Sequence, residues 1–344
     1  MTSVSHARPE LVAVDDGYDF TKTITRTRGA RIPTAYSLNP STKVTVLGGS
    51  EDFEQVYEID GVQYAVGPNV ASRDTRFEDF PYHPANLAVA MDAIRRVVEP
   101  GRSVHVIAGV PLNRFYLPSG EKNAEVADRK TIAWSRHVRA TTGAALPKIC
   151  RVSVIAEAVA AWFDFVISDQ FVAQDHRIND FMAVVDIGGR TTDIAVFQGG
   201  DINMGLSGTT DSGVLDLQKR VANILAGKYP GTKFPRQLLL DAVQSGRAKL
   251  GTSSLDISAE VLAERRALVA DIEIFMNSQF GSQLPLMKRV LFVGGGAQAL
   301  QSELRERFPT AVFATDPQMA NARGMLKFGV AVAGFEDEPA AVNA

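Results

Sequence analysis

The chain has a single cysteine, Cys150, so it can form no internal disulfide. A disulfide-stapled secreted scaffold is therefore excluded, and a reducing cytoplasm is the expected compartment. Cys150 lies among apolar residues and reads as a core thiol. No apolar run reaches the length of a membrane span. The opening stretch MTSVSHARPE is polar and has no apolar centre, so no secretory signal is expected. An excess of charge of one sign is missing too: 36 Lys and Arg stand against 39 Asp and Glu, a net charge of −3. That balance gives no general attraction to nucleic acid or membrane, so any contact with DNA is expected to be indirect. His6, His83, His105, His137 and His176 have no metal-ligand spacing, and none pairs with the cysteine, so no His/Cys metal centre is expected. There is no G-x-S-x-G elbow. The stretch Gly246-Arg-Ala-Lys-Leu-Gly251-Thr252 has the glycine spacing of a P-loop but lacks the lysine before its hydroxyl residue.

What is present is a repeat. The chain has 344 residues, 45% of them hydrophobic, enough for two ordinary domains with proper cores. One stretch occurs twice: Leu11-Val-Ala-Val-Asp15-Asp16-Gly17-Tyr18-Asp19-Phe-Thr21-Lys22, and Met182-Ala-Val-Val-Asp186-Ile-Gly188-Gly189-Arg190-Thr191-Thr192-Asp193. In each, an apolar strand ends in Asp-x-Gly, and a second short strand follows. Asp15 aligns with Asp186, Gly17 with Gly188, and Thr21 with Thr192. Asp193 stands where the first copy has Lys22.

Around the repeat the chain alternates helix and strand signals. Residues 26–76 read as irregular β structure with turns at Gly48-Gly49 and Asp60-Gly61. Pro84 opens an amphipathic helix with Leu87, Met91, Ile94 and Val98 on one face. Strand Val104–Ala108 follows, then a charged helical stretch over 121–141. Cys150–Val154 is a strand leading into a helix that carries Glu157 near its start, where the macrodipole favours a carboxylate. Ala173–Asp180 reads as a polar linker, and short strands follow at 181–186, 193–197 and 202–206. Helices are expected to about Ala226, from Pro235 to about Gly246, over 258–279, after Gly294-Gly295-Gly296, and over Pro317–Val332. Residues 1–9 and the tail from Glu336 onward read as disordered. Each half starts with strand, hairpin and strand, then passes to helix–strand units. This predicts a duplicated α/β fold rather than one continuous parallel sheet.

The residue types at the two turns suit a nucleotide and its metal. Glycine-rich turns present backbone N–H groups, a lysine can meet a phosphate oxygen, and carboxylates can hold the water shell of Mg²⁺. The strand Val290–Val293 runs into a triple glycine that opens a helix, a further place for phosphate or adenosine. The Gly294-x-Gly296-x-x-Ala299 spacing with Asp316 beyond it also mimics a dinucleotide fingerprint. That reading leaves both hairpins unexplained.

Taken together, Asp15-Asp16-Gly17…Lys22, Asp186-Ile-Gly188-Gly189-Arg-Thr191 and Val293-Gly294-Gly295-Gly296 resemble the two phosphate motifs and the adenosine motif of the actin superfamily. Gly109-Val-Pro111-Leu112 with the strand leading to Glu157 resembles its first connecting segment. Asn321-Ala-Arg-Gly324-Met325 resembles the second. Within the superfamily the chain is most similar to the bacterial plasmid-segregation actins of the ParM/StbA family. The resemblance spans roughly residues 11–333. It implies an actin-like, ribonuclease H-like duplicated fold with a nucleotide cleft. Residues 1–166 plus 319–344 would form one lobe and 167–318 the other.

The resemblance also implies roles. Asp15 and Asp186 would hold Mg²⁺ through water, and Lys22 would touch the β- and γ-phosphates. Gly17, Tyr18, Asp19, Gly188, Gly189, Arg190 and Thr191 would line the phosphates. Glu157, with Asp186, would be catalytic and would orient or activate the attacking water. Gly294, Gly295 and Gly296 would back the adenosine, while Arg247 and Lys249 would reach ribose or base. The implied activity is an ATPase, with ATP against GTP left open. It would polymerise into filaments on ATP binding and segregate plasmid DNA through a DNA-bound adaptor. Two alternatives stand beside it: a small-molecule kinase of the same fold, and a non-polymerising actin-like scaffold.

Overall fold

The computed structural model describes residues 8–40 and 54–334. The expected disordered lead up to residue 7, the Gly48-Gly49 turn and the tail from Glu336 lie outside the described residues.

The first half opens with the meander β1 (Glu10–Asp16), β2 (Phe20–Ile24) and β3 (Gly29–Pro33). Then come β4 (Tyr36–Ser37), β5 (Gln55–Ile59), β6 (Val62–Val66) and helix α1 (Pro84–Ile94). Next are β7 (Ser103–Val110), α2 (Leu112–Phe115), α3 (Ala124–Trp134), β8 (Val138–Ala140), β9 (Lys148–Ala156) and α4 (Glu157–Val166). Strands β3-β2-β1-β7-β9 form one sheet, antiparallel in the meander and parallel across β1, β7 and β9. An unbroken apolar run such as Leu11–Val14 suits a strand covered on both faces, and all four residues are buried.

The second half repeats the plan. After α5 (Asp175–Ile178) come β10 (Met182–Ile187), β11 (Thr192–Gln198), β12 (Asp201–Ile202) and β13 (Gly208–Thr210). Helices α6 (Val214–Lys228) and α7 (Arg236–Ser245) lead to a hairpin, β14 (Arg247–Leu250) and β15 (Ser253–Asp256), and then to α8 (Ser258–Phe280). The chain ends with β16 (Arg289–Val293), α9 (Gly294–Ala299), α10 (Gln301–Arg307), β17 (Val312–Phe313) and α11 (Ala320–Ala331). The second sheet runs β12-β11-β10-β16-β17, with β13 also on β11. Here β10 pairs with β11 antiparallel and with β16 parallel, as β1 pairs with β2 and β7. The molecule is a two-lobed, duplicated α/β fold. Helix α11 returns to the first sheet, packing on β1, β7 and α4. Its approach to α4 is so close that a Cβ on Gly324 would collide with the Ala160 carbonyl oxygen.

Four local readings change. Every residue of α1 after Pro84 is buried: the helix has no solvent face, because β1 and β2 pack on one side and β5 and β6 on another. The charged stretch 121–141 is helical only over α3. Its end pairs as β8 with β5, Tyr57 opposite Ala140, a tertiary pairing that overrides local charge. The polar linker before β10 contains the short α5. Cys150 is exposed on the outer part of β9 rather than in the core, with its Sγ 3.1 Å from the Val104 carbonyl. Among the described residues, no helix is long and apolar enough to cross a membrane.

Candidate functional site

The two hairpin turns face each other. A cavity of about 40 Å³ lies between them, lined by Asp15, Asp16, Gly17, Tyr18, Asp19, Phe20 and Lys22 from the first and by Asp186, Gly188, Gly189 and Thr191 from the second. Glu157 at the start of α4, Gly294 and Gly295 at the start of α9, and Asn321 on α11 also line it. Arg190 stands at its edge: its guanidinium is 3.4 Å from the Tyr18 hydroxyl and 3.3 Å from Asp211. Gly296 follows on α9, packed against Ile187.

Pairing register explains how the copies differ. On the first hairpin Asp15 lies opposite Lys22, and Lys22 Nζ donates to Asp15 Oδ2 at 2.9 Å. On the second, Asp186 lies opposite Asp193, so two carboxylates meet where the first copy has an ion pair. Each accepts hydrogen bonds from uncharged donors instead. Asn321 Nδ2 donates to Asp186 at 2.7 Å. Asp193 accepts from the Leu112 backbone N–H at 2.9 Å, Thr209 Oγ1 at 2.5 Å and Thr191 Oγ1 at 3.1 Å. Leu112 follows β7, so Asp193 ties the first lobe's connecting loop to the second lobe's hairpin.

Carboxylates crowded at one small cavity shift the protonation of Asp186 and Glu157. Burial, helped by the charges of Asp193 and Asp15, pushes Asp186 up to about 7 despite the Asn321 hydrogen bond. Burial comes first for Glu157 too, followed by Asp15, Asp193, Asp186 and Asp16, and holds its carboxyl well above the usual range. Burial likewise raises Asp193. For Lys22, burial opposes the charge, and the neighbouring Asp15, Asp186 and Glu157 outweigh it, so its pKa rises above the ordinary lysine value. The site is a carboxylate cluster short of cations, with one lysine on the first hairpin.

That donor set fits Mg²⁺. The ion takes hard oxygen ligands, keeps several waters and is held through one or two carboxylates plus substrate phosphates. Asp15 and Asp186 would supply the carboxylates, and the buried Oδ1 of Asn321 has no hydrogen-bond partner of its own. Among the described residues, no three His, Cys, Asp or Glu side chains are grouped to ligate a metal directly. The turn into α9 is pressed against the second hairpin. Gly294 has φ +89°, and a Cβ there would collide with Asp186 Oδ1 and the Ile187 carbonyl oxygen, so only glycine fits both the conformation and the contact.

Several partners escaped the sequence reading. Asp16 is held from below by Lys130 Nζ at 2.5 Å and Asn86 Nδ2 at 2.8 Å. Lys130 also donates to the Pro81 carbonyl at 3.0 Å and sits 4.5 Å from the Trp134 ring centroid. Nothing in sequence marks Lys130, which falls in a charged helix that reads as solvated. Arg236, at the start of α7, donates to both the backbone and side chain of Asp19. Gln218 on α6 donates to the same carboxylate at 3.3 Å. By contrast, Arg247 and Lys249 are not brought to the cavity. They are exposed on the β14–β15 hairpin, where Arg247 lies 3.5 Å from Asp256.

Comparison with known proteins agrees with this geometry. Residues 13–158 match the family model "Actin like proteins N terminal domain", and residues 184–306 match "Archaeal actin homologue MreB-like, C-terminal". No curated protein matches the chain by sequence. Among solved structures, the chain is similar to a non-polymerisable quadruple mutant of pCBH ParM, with 18% identity and TM-score 0.79 over 94% of this chain and 99% of that one. It is similar to ParM in a 15-stranded filament from Clostridium botulinum, with 17% identity and TM-score 0.75 over 94% and 99%. It is also similar to an archaeal actin homologue in complex with ADP, with 19% identity and TM-score 0.71 over 92% and 97%. At these identities the likeness speaks for the fold.

Proposed function

We propose that this chain, a member of the actin-like proteins, is an ATPase that binds ATP and ADP with Mg²⁺ between its two hairpins. The observation that carries this is the pair of matched registers, Asp15 opposite Lys22 and Asp186 opposite Asp193, meeting at one cavity with Glu157 beside them. We assign residues 1–166 with 319–344 to one lobe and 167–318 to the other, and the packing of α11 on β1, β7 and α4 supports that division.

In this reading Lys22 meets the terminal phosphates, and the backbone N–H groups of both turns line them. Asp15 and Asp186 hold the waters of the ion, which when bound screens phosphate charge. Glu157 orients the attacking water and accepts its proton. Burial and the neighbouring carboxylates raise its pKa well above the usual range, which makes its carboxylate form a stronger base toward that water. Hydrolysis proceeds by water without a covalent intermediate.

We further propose that ATP binding drives assembly of this chain into filaments, with disassembly after hydrolysis. Those filaments would move plasmid DNA through an adaptor bound to a centromere-like site. The near-neutral net charge supports an adaptor over direct DNA contact. Right-angle light scattering tests assembly: the signal rises on adding Mg-ATP and does not rise with Mg-ADP. An unchanged signal with ATP, alongside measurable phosphate release, replaces the filament reading with a small-molecule kinase or a scaffold of the same fold.

A further inference from the structure

The phosphate cavity is too small for the ligand proposed for it. At about 40 Å³ it holds little more than a water, whereas small-molecule sites run to roughly 300–1,000 Å³. Beside it lies an open cleft of about 1240 Å³ between the lobes, lined by Tyr18, Gln218, Pro235 and Arg236 among others. Tyr18 borders both spaces. Asp19 borders the small one and is held by the two donors, Arg236 and Gln218, that border the large one. These side chains form a partition between the open cleft and the enclosed cavity.

We propose that Asp19, Arg236 and Gln218 are a latch across the mouth of the nucleotide site, and that its opening sets the rate at which nucleotide enters and leaves. This rests on the nucleotide reading of the same cavity. The latch joins the two lobes: Asp19 is in the β1–β2 turn, Gln218 is on α6 and Arg236 begins α7. Arg236 also lies over the Phe20 ring, 5.1 Å from its centroid, so one side chain grips the turn by backbone, carboxylate and aromatic face. Its own footing is light. The buried residues of α7 are Ala242 and Val243, both in the last turns, and Pro235 precedes it in a loop. The first turn of α7 sits on the second core only through the partly buried Leu238 and Leu239, so swinging it out disturbs less packing than moving the rest of the helix would. Charge points the same way. Asp19 faces a space meant for phosphates, and Arg236 neutralises it while the latch is shut.

The test is stopped-flow exchange of a fluorescent mant-ADP with Mg²⁺ on the full chain. R236Q is expected to speed both association and release about tenfold, as loss of a partly buried charge-assisted contact should. D19N is expected to speed release similarly. The double variant D19N/R236Q should be no faster than the faster single, because both remove one interaction. Wild-type rates in R236Q would overturn the latch. Slower or weaker binding in R236Q, with D19N unchanged, would make Arg236 a direct nucleotide ligand instead. Hydrogen exchange on the nucleotide-free protein gives an independent reading. In R236Q and Q218A the amides of residues 17–20 and 188–191 should exchange faster than in wild type, and unchanged exchange would sink the latch. A wild-type protein that fails to bind mant-ADP would refute the nucleotide reading, and the exchange data would still decide the latch.

Discussion

Glu157→Ala is expected to bind Mg-ATP and to hydrolyse it roughly 10²–10⁴-fold more slowly than wild type, the usual range for losing a positioned general base. Glu157 opens α4 and lines the cavity, with no ion pair to occupy it among those described. Its protonation is set by the cluster: burial first, then Asp15, Asp193, Asp186 and Asp16, raise its pKa. Glu157→Gln separates the two parts of its role. The amide keeps the shape and can still hold a water but cannot take the proton. Hydrolysis in the Gln variant should therefore fall nearly as far as in the Ala variant. Steady-state phosphate release is the readout. Unchanged release in both would remove Glu157 from the chemistry and leave the carboxylate only a place in the cluster.

Lys130→Met is expected to destabilise the fold by about 3–5 kcal/mol, the cost of leaving the other half of a buried ion pair unmatched. Lys130 is fully buried and Asp16 nearly so. Removing the ammonium leaves the Asp16 carboxylate with Asn86 as its one described side-chain donor, and Asp16 Oδ1 already has none. Burial lowers the Lys130 pKa, and the attraction of Asp16 works against that fall. The pair also bolts the first hairpin turn to the helices beneath it. Asn86 on α1 donates to Asp16, and Trp134 Nε1 on α3 donates to Asn86 Oδ1 at 3.1 Å. The double variant Asp16→Asn with Lys130→Met removes both charges and should recover much of the loss. Denaturant unfolding measures it. A midpoint in Lys130→Met equal to wild type would mean that the pair contributes nothing to holding the turn.

What could be read from sequence was whatever repeats or is local. The unbroken apolar runs Leu11–Val14 and Met182–Val185 are central strands, and the Asp-x-Gly that ends each marks a turn. The alignment of Asp193 with Lys22 is borne out as a register, Asp186↔Asp193 beside Asp15↔Lys22. The triple glycine was visible, but the reason for it was not: Gly294 turns against Asp186 and Ile187, more than a hundred residues earlier. The missing parts are long-range. Lys130 reaches Asp16 across 114 residues and Arg236 reaches Asp19 across 217. A lysine in a charged helix and an arginine after a proline carry no local mark of burial or partnership. The β8 strand was lost for the same reason, since three residues have no periodicity to read. Cys150 has apolar neighbours in sequence, but these do not fix which face of β9 its side chain takes, and it is exposed.

The claim on which the rest depends is that the two hairpins jointly hold one nucleotide. Calorimetric titration of Mg-ATP into wild type and Asp186→Ala tests it most directly. Asp186 belongs to the second hairpin alone, is 3% exposed and touches the first lobe's final helix through Asn321. Saturable binding to wild type at one site per chain is expected, with a loss of affinity of at least about tenfold in Asp186→Ala, since a metal-holding carboxylate is worth at least one charged hydrogen bond. Wild-type affinity in Asp186→Ala would mean that the second hairpin takes no part, and the two-hairpin site would be wrong.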